Sequence, residues 1–512
     1  MAADLILYNL DTTLAPAGAR ADIVAISGNC ILYLGARAAL AELQGPHTRM
    51  LDCQGGIVLP GFNDAHCHPI AFAVTQRYLD CAAAGIDSIA EIQTALRSEA
   101  AARGGERWIR GANCDGAVLA EGRLPNRWEL DLAVPNLPVL LVARDGQHCV
   151  LNSRALQRCG IDDNAHGADD DGILRDPTSG LPNGIVSANN PRVTRAIPPL
   201  SDDEIDLGLR AANQVYLAQG ITSLQDTSWS NGHAQWRNMQ LFKERGLLAP
   251  RLTMHAGIDA LDEFVQRGLR SGAGDEQLRL GAIKLALDES SGNNPPPQAE
   301  LDRLALRAHR AGFQLAFHVP NLDLLQRSLH ALAFVASNAP QRCQRPRFEH
   351  CPICPPALLP DLAHSGAIVV SQPNLLWQTG PAYLSQLRAD QLRWVFPYRS
   401  YVEHGIGLAL SSDSPLTPCE PLRAVMTAVS RRVQGGARLG EEEGISLAQA
   451  LEMHTRAGAY SSNEEHLKGS LAAGQLADLV VVAGRAGEGL ADELDNAQVL
   501  LTLLDGKLVW TR

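Results

Sequence analysis

The chain has no cluster of lysine and arginine interleaved with aromatic residues, and its formal net charge is −12. Nucleic acid and anionic membrane are therefore disfavoured as partners. No segment reaches the ~20 apolar residues that a membrane span requires. The opening Met1-Ala2-Ala3-Asp4-Leu5-Ile6-Leu7-Tyr8 has an acid in place of a basic leader and no long apolar core, so no signal peptide is expected and a cytoplasmic location is. The 11 cysteines lack the short, regular spacing of a disulfide framework and read as reduced thiols. Cys351-Pro352-Ile353-Cys354 is a lone Cys-X-X-Cys, without the second pair of a zinc knuckle or the helix of a thioredoxin-like unit, and reads as structural.

What is present is length and rhythm. At 512 residues, 46% apolar and 20% charged, the chain fits a soluble globular enzyme with one large domain and attachments, or several domains. Residues 3–58 alternate β-rich runs (Leu5-Ile6-Leu7-Tyr8, Ile23-Val24-Ala25-Ile26, Cys30-Ile31-Leu32-Tyr33-Leu34) with turn residues, which predicts antiparallel sheet. A matching set, Asp478 to Val482 and Val499 to Leu503 followed by the hairpin signal Asp505-Gly506, closes the chain. The two ends, 1–58 and 466–512, are expected to pair into one small β-sandwich.

From residue 201 onward, helix-like stretches alternate with apolar strands at Gly220–Leu224, Arg251–His255, Ala282–Ala286, Gln314–His318, Pro346–His350, Ala367–Ser371 and Ile406–Leu410. With the buried run Gly56-Ile57-Val58-Leu59 as the first, these make eight. The fold class predicted is α/β: a (β/α)8 barrel over 59–465, with an insertion of about 80–200 after its first strand. Within that insertion Ser88 to Ala102 has helical spacing, Pro138 to Val142 reads as a strand, and Asp162 to Gly184 as an exposed loop.

In such barrels the chemistry sits at the C-terminal ends of the strands. His66 and His68 in Pro60-Gly61-Phe62-Asn63-Asp64-Ala65-His66-Cys67-His68 point to one face of an extended backbone and make a natural half-site for a transition metal. Lys284, His318, His350 and Asp413 fall at later strand ends. Each alone has a plainer account: a hydrogen-bonded loop histidine, or a turn-forming Asp413 in Ser411-Ser412-Asp413-Ser414-Pro415. Lys284, between Ile283 and Leu285 on a buried strand, has no cheap place for its charge.

Pro-Gly-Phe-X-Asp-X-His-X-His resembles the first-strand signature of the amidohydrolase superfamily, metal-dependent hydrolases on this barrel. The later residues resemble its binuclear branch. Asn183-Gly184, Gly220-Ile221-Thr222-Ser223 with Asp226, Arg347-Phe348-Glu349-His350, Ser371-Gln372-Pro373, Ser412-Asp413-Ser414-Pro415 and Lys468-Gly469-Ser470-Leu471 through Asp478 are similar to amidohydrolase family 3, the group that includes N-substituted formamide deformylases. The resemblance implies His66, His68 and Asp413 on one Zn2+, His318 and His350 on a second, and a carboxylated Lys284 between them. It also implies hydrolysis of an amide-type C–N bond of a small molecule by a metal-bridging hydroxide, with Asp413 carrying the proton. His148 and Asn152, in Gly146-Gln147-His148-Cys149-Val150-Leu151-Asn152-Ser153, match an insertion motif of the group and are expected to bind substrate, as is Trp377 after the seventh strand. One departure follows His318, where Val319-Pro320-Asn321-Leu322-Asp323 stands in place of the group's usual Gly-Asp.

Two other readings stand beside this one. A mononuclear deaminase of a heterocycle would want an acid close behind the fifth-strand histidine and would not need Lys284. A non-catalytic scaffold of the same fold would have lost ligands. A homo-oligomer is left open.

Overall fold

A computed structural model of the protein describes residues 2–15, 20–83, 85–102, 108–144, 146–163, 172–286, 296–339, 345–484 and 497–512. The chain divides into two compact units, Met1–Ala71 with Ala212–Arg512, and Phe72–Ala211.

The first unit contains an eight-stranded parallel sheet. Its strands in chain order are Phe62–Cys67, Ile221–Asp226, Arg251–Gly257, Leu278–Leu285, Leu315–Val319, Arg347–His350, Ile368–Ser371 and Gly407–Leu410, each paired with the next. This is the expected barrel. The eighth and first strands meet without a regular ladder. Asp413 N–H donates to the His66 carbonyl (2.7 Å) and His68 N–H to the Ser414 carbonyl (2.9 Å). Below them the buried Asp64 carboxylate accepts from Ser412 N–H (2.8 Å) and Ser412 Oγ–H (2.5 Å). The aspartate of the first-strand motif thus latches the barrel seam.

Packed on the barrel within the same unit is the expected sandwich, two four-stranded sheets around one core. That core takes Leu5, Leu7, Val24 and Ile26 from the N-terminal part and Leu479, Val481 and Leu503 from the C-terminal part. Asp505-Gly506 forms the hairpin between Val499–Leu504 and Lys507–Thr511, with the positive φ at both residues that such a turn needs. Two details differ from expectation. Leu5–Tyr8 pairs antiparallel with Ile23–Ser27 but parallel with Arg49–Asp52, so the N-terminal sheet is mixed.

The run Ile57–Pro60, expected to open the barrel, instead pairs with Leu479–Val482 in the sandwich, and the barrel strand is Phe62–Cys67, on the motif itself. Both runs are wholly buried, and only Ile57–Pro60 is apolar throughout, so the apolar pattern points to the run that the sandwich takes. Gly61 divides them: a Cβ there would lie 2.2 Å from Thr222 Oγ1, so only glycine lets the chain pass from sandwich to barrel at this closeness.

The second unit holds a six-stranded mixed sheet, ordered Ile173–Arg175, Pro182–Ser187, His148–Leu151, Val139–Ala143, Ile109–Cys114, Leu79–Asp80. The helix Ile89–Ala102 buries Ile89, Ile92 and Leu96, the three- and four-residue spacing of one helical face. The stretch expected as a loop from Asp162 to Gly184 is in part an antiparallel pair, Ile173–Arg175 with Pro182–Ser187; its residues 164–171 lie outside those described.

Arg251, at the start of the third barrel strand, is buried and fastens barrel to sandwich. Its Nε and Nη2 donate to the two oxygens of Asp478 (2.6 and 3.0 Å), and Nη2 also reaches Asp505. Arg251→Ala would strand Asp478 as an unpaired buried charge and is expected to cost about 3–5 kcal/mol. Urea unfolding followed by fluorescence measures it; a loss under about 1 kcal/mol would give the cluster no more weight than a surface ion pair.

Candidate metal centre

The barrel ends bring His66, His350 and Asp413 together, with one donor atom from each within 4.8 Å of the others. His68 joins them: its Nε2 is 3.1 Å from Asp413 Oδ1, and His66 Nε2 is 3.5 Å from the same oxygen. His318 Nδ1 lies 3.0 Å from His350 Nε2. Lys284 is buried on the fourth strand, close enough for its charge to act on both His66 and His350. All six residues expected from the strand ends therefore meet at one place.

The other ring nitrogen of three of these histidines is tied to an acceptor. His66 Nδ1 sits 2.7 Å from Glu349 Oε2. The Ser228 hydroxyl donates to Asp226 Oδ1 (2.7 Å), so its oxygen is left to accept from His68 Nδ1, 2.9 Å away. His350 Nδ1 is 3.0 Å from Gln372 Oε1, whose amide nitrogen is turned to Val370 and Ser411. Each partner holds the proton on Nδ1 and leaves the Nε2 lone pair facing the centre, as metal-ligating histidines require. A donor set of imidazoles and a carboxylate, pre-oriented in this way, fits a divalent transition metal.

Glu349, Ser228 and Gln372 received no role from sequence reasoning. Glu349 and His350 are neighbours in one strand, and strict alternation would turn them to opposite faces. Positive φ at His350 (78°) and Cys351 (50°) breaks the alternation, so both address the centre.

The charges around the site are strongly perturbed. Burial, and then the Lys284 charge, push the His66 imidazole down to about 4, and burial with neighbouring His66 pushes His350 well below its ordinary value. Burial opposes ionisation of Glu349, but Arg347, Lys284 and His66 together outweigh it and hold the carboxyl well below the usual range. Burial likewise opposes ionisation of Asp413, yet His66, His68 and His350 keep it a carboxylate. His68 differs from His66 and His350: burial lowers it, but the hydrogen bond and charge of Asp413 win and its pKa is raised. Protons therefore compete with a metal at His68, and binding there weakens as the pH falls.

Asn152 is wholly buried in the inserted unit, where its amide accepts from Val139 N–H and Ala155 N–H and donates to the Val134 and Leu137 carbonyls. An amide side chain has four such valences, and all are used in capping a helix and tying a strand. His148 opens the strand His148–Leu151 and is half-buried. Trp377 lies in the helix Pro373–Gln386, one turn past Gln372, with the Arg423 guanidinium 4.8 Å over its ring. In the segment after His318, Asn321 caps the helix Leu322–Asn338 and Asp323 is an exposed first-turn residue, so Asp323 gives His318 no buried support. The Cys-X-X-Cys thiols are free and buried, with Cys354 pushed up to about 12 by burial, as inert structural thiols would be.

Barrel, sandwich and ligand cluster together define a metal-dependent hydrolase, and the chain belongs to the amidohydrolase family, which it matches over residues 49–510. It is 28% identical over 546 aligned residues to the N-substituted formamide deformylase of Arthrobacter pascens, covering 99% of this chain and 98% of that protein. Its fold is shared with uncharacterized metal-dependent hydrolases from Pyrococcus horikoshii OT3 (TM-score 0.74, 20% identity, 93% and 96% covered) and Pyrococcus furiosus (0.72, 21%, 93% and 98%).

Glu349→Gln keeps the shape beside His66 but removes the charge that orients it and balances Arg347. It is expected to weaken binding of a divalent metal by about 10–100-fold. Competition with a chromogenic chelator measures this, with circular dichroism to check folding; an unchanged Kd in a folded variant would mean His66 is oriented without the carboxylate.

Proposed function

We propose that the protein hydrolyses an amide-type C–N bond of a small molecule at a centre of two zinc ions, with carboxylated Lys284 between them. The observation that carries this is the convergence of four imidazoles and a carboxylate, three imidazoles with their second nitrogen already engaged. Nitrogen and oxygen donors with hydrolytic chemistry suit zinc. In this reading His66, His68 and Asp413 hold one ion, and His318 and His350 the other.

Lys284 supports the two-metal reading over the deaminase. As an ammonium it depresses His66 and His350 and would repel any cation placed among them. Carboxylation would convert that positive charge to a negative one, which would remove the conflict and supply a further anionic oxygen ligand.

When bound, the metals supply Lewis acidity toward the substrate carbonyl and lower the pKa of the attacking water. The protein's own residues then orient and move the proton. Asp413 lies against His66 and His68, so it can receive the proton lost by water and give it to the leaving nitrogen. Its depressed pKa suits the second step, because a carboxyl that resists protonation releases a proton readily. The Arthrobacter relative makes formamides the first substrates to try, and a screen of zinc-loaded protein against N-formyl, N-acyl and cyclic amides tests the proposal. Turnover of none of them would overturn it.

Lys284→Ala is expected to abolish activity and lower zinc content, with partial recovery of both on adding short carboxylic acids. Full zinc and full rate in this variant would make Lys284 an ordinary lysine.

Asp413→Asn retains shape and one oxygen ligand but cannot carry a proton. It should keep most of its zinc and lose about 10²–10⁴ in kcat. Metal analysis alongside steady-state kinetics reads both; turnover within a few-fold of the parent at full zinc would send the proton by another route.

A further inference from the structure

The sheet of the inserted unit brings together two thiols that the metal centre does not use. Its outermost strand, Leu79–Asp80, pairs in parallel with Ile109–Cys114, Leu79 opposite Gly111 and Asp80 opposite Ala112. Paired residues share a face and side chains alternate along a strand, so Leu79, Cys81, Ile109 and Gly111 face one side. That is the side on which Ile89, Ile92 and Leu96 pack. Cys81 N–H donates to the Ala112 carbonyl (2.9 Å), and Cys81 Sγ lies over the neighbouring strand, where a Cβ at Gly111 would sit 3.3 Å from it.

Regular alternation would turn Cys114 to the opposite face, with Arg110 and Ala112. Asn113 prevents this. Its φ of 60° is left-handed, the register against Val139–Ala143 shifts between Gly111 and Cys114, and its amide donates to Asp80 Oδ1 (2.9 Å). Such an irregularity re-aims the side chain that follows, and Cys114 is buried in the same core as Cys81, with a hydrogen bond between the two thiols. Neighbouring strands lie about 4.8 Å apart, and a disulfide spans Cα separations of about 4.4–6.8 Å. A covalent bridge therefore fits between these two strands.

A buried cysteine ordinarily serves as a small apolar side chain. Burial then pushes its thiol up, as at Cys149 and Cys354, each to about 12. At this pair the thiol–thiol hydrogen bond lowers Cys114 and raises Cys81, which favours a thiolate on Cys114 and keeps the proton on Cys81. The pair is thus divided into a nucleophile and a second, resolving thiol.

We propose that Cys81 and Cys114 form a redox modification site, which a hydroperoxide converts to a disulfide stapling the outermost strand to its neighbour. With hydrogen peroxide, the Cys114 sulfur attacks one oxygen, the O–O bond breaks, and Cys114 becomes a sulfenic acid as one water leaves. The Cys81 sulfur then attacks the Cys114 sulfur, the S–S bond forms, the S–O bond breaks, and the hydroxyl departs with the Cys81 proton as the second water. The two sulfurs give up the two electrons that the peroxide takes. A dithiol reductant reverses the change by exchange and becomes a disulfide itself. The bridge closes a loop containing the helix Ile89–Ala102 and fastens a strand of only two paired residues, so it stabilises this sheet against unfolding.

The test treats the full-length protein, reduced and desalted, with a few equivalents of hydrogen peroxide, blocks the remaining thiols with N-ethylmaleimide and digests with trypsin for mass spectrometry. Each of the two cysteines lies alone in its peptide, Tyr78–Arg97 and Gly111–Arg123. The expected product is these two peptides joined, lighter than their sum by the two thiol hydrogens, and separated again by dithiothreitol. Cys81→Ser should lose the joined product and leave Cys114 as a sulfenic acid that dimedone traps. Asn113→Gly keeps the left-handed turn and should cross-link as the parent does, whereas Asn113→Val should lose most of the product with both thiols present. Oxidation should raise the thermal midpoint of the parent and leave that of Cys81→Ser unchanged. A folded parent that yields no joined peptide, or yields it only after denaturation, overturns the proposal, and this readout needs no variant to fold. A cross-linked parent with an unshifted midpoint overturns the staple, and a folded Asn113→Val protein that links as fast as the parent overturns the role given to Asn113.

Discussion

The site depends on a single buried guanidinium. Arg347 is wholly inaccessible, and its five N–H groups are all engaged. Nε and Nη2 donate to Glu349 (2.8 and 3.3 Å), Nη2 also to the Ala65 carbonyl (2.7 Å), and Nη1 to Gln225 Oε1 with His255 Nε2 at 3.3 Å. These partners belong to the first, second, third and sixth barrel strands. A charge with no water around it is tolerable only when so fully matched, and removing a partner leaves the remainder uncompensated. The requirement fixes the relative heights of the strands at the base of the centre. It also holds Glu349 ionised, and Glu349 in turn fixes His66.

From that point the arrangement is built outward in pairs. Asp64 and Ser412 close the seam on which His66, His68 and Asp413 stand, and the left-handed residues His350 and Asp413, with φ of 78° and 59°, turn side chains inward where a regular strand would not. The polar cluster under the metal donors is therefore as much a part of the barrel's closure as of its chemistry. A change that disturbs one is expected to disturb the other.

Much of this could be read from residues alone. Seven barrel strands followed from short apolar runs between helix-like stretches, and the six residues that meet at the candidate centre followed from asking which polar residues end those strands. What escaped was orientation. That Glu349, Ser228 and Gln372 each serve a histidine follows from how strands are staggered, which no spacing encodes. Ile57–Pro60 was given to the barrel because a strand buried on both faces looks alike in either sheet, and the decisive residue, Gly61, acts through a contact with Thr222 that is distant in sequence. Asn152 matched a motif, yet its amide serves the backbone around it entirely.

The central claim is that this cluster carries two metals with a modified Lys284 between them. The most direct measurement is the metal-to-protein ratio of zinc-loaded, dialysed protein, with the carbonyl carbon signal of the bridging group read after exposure to ¹³C-labelled CO2. The account predicts about two zinc per chain and a carbamate resonance that disappears in Lys284→Ala. A ratio of about one with no carbamate signal would contradict it.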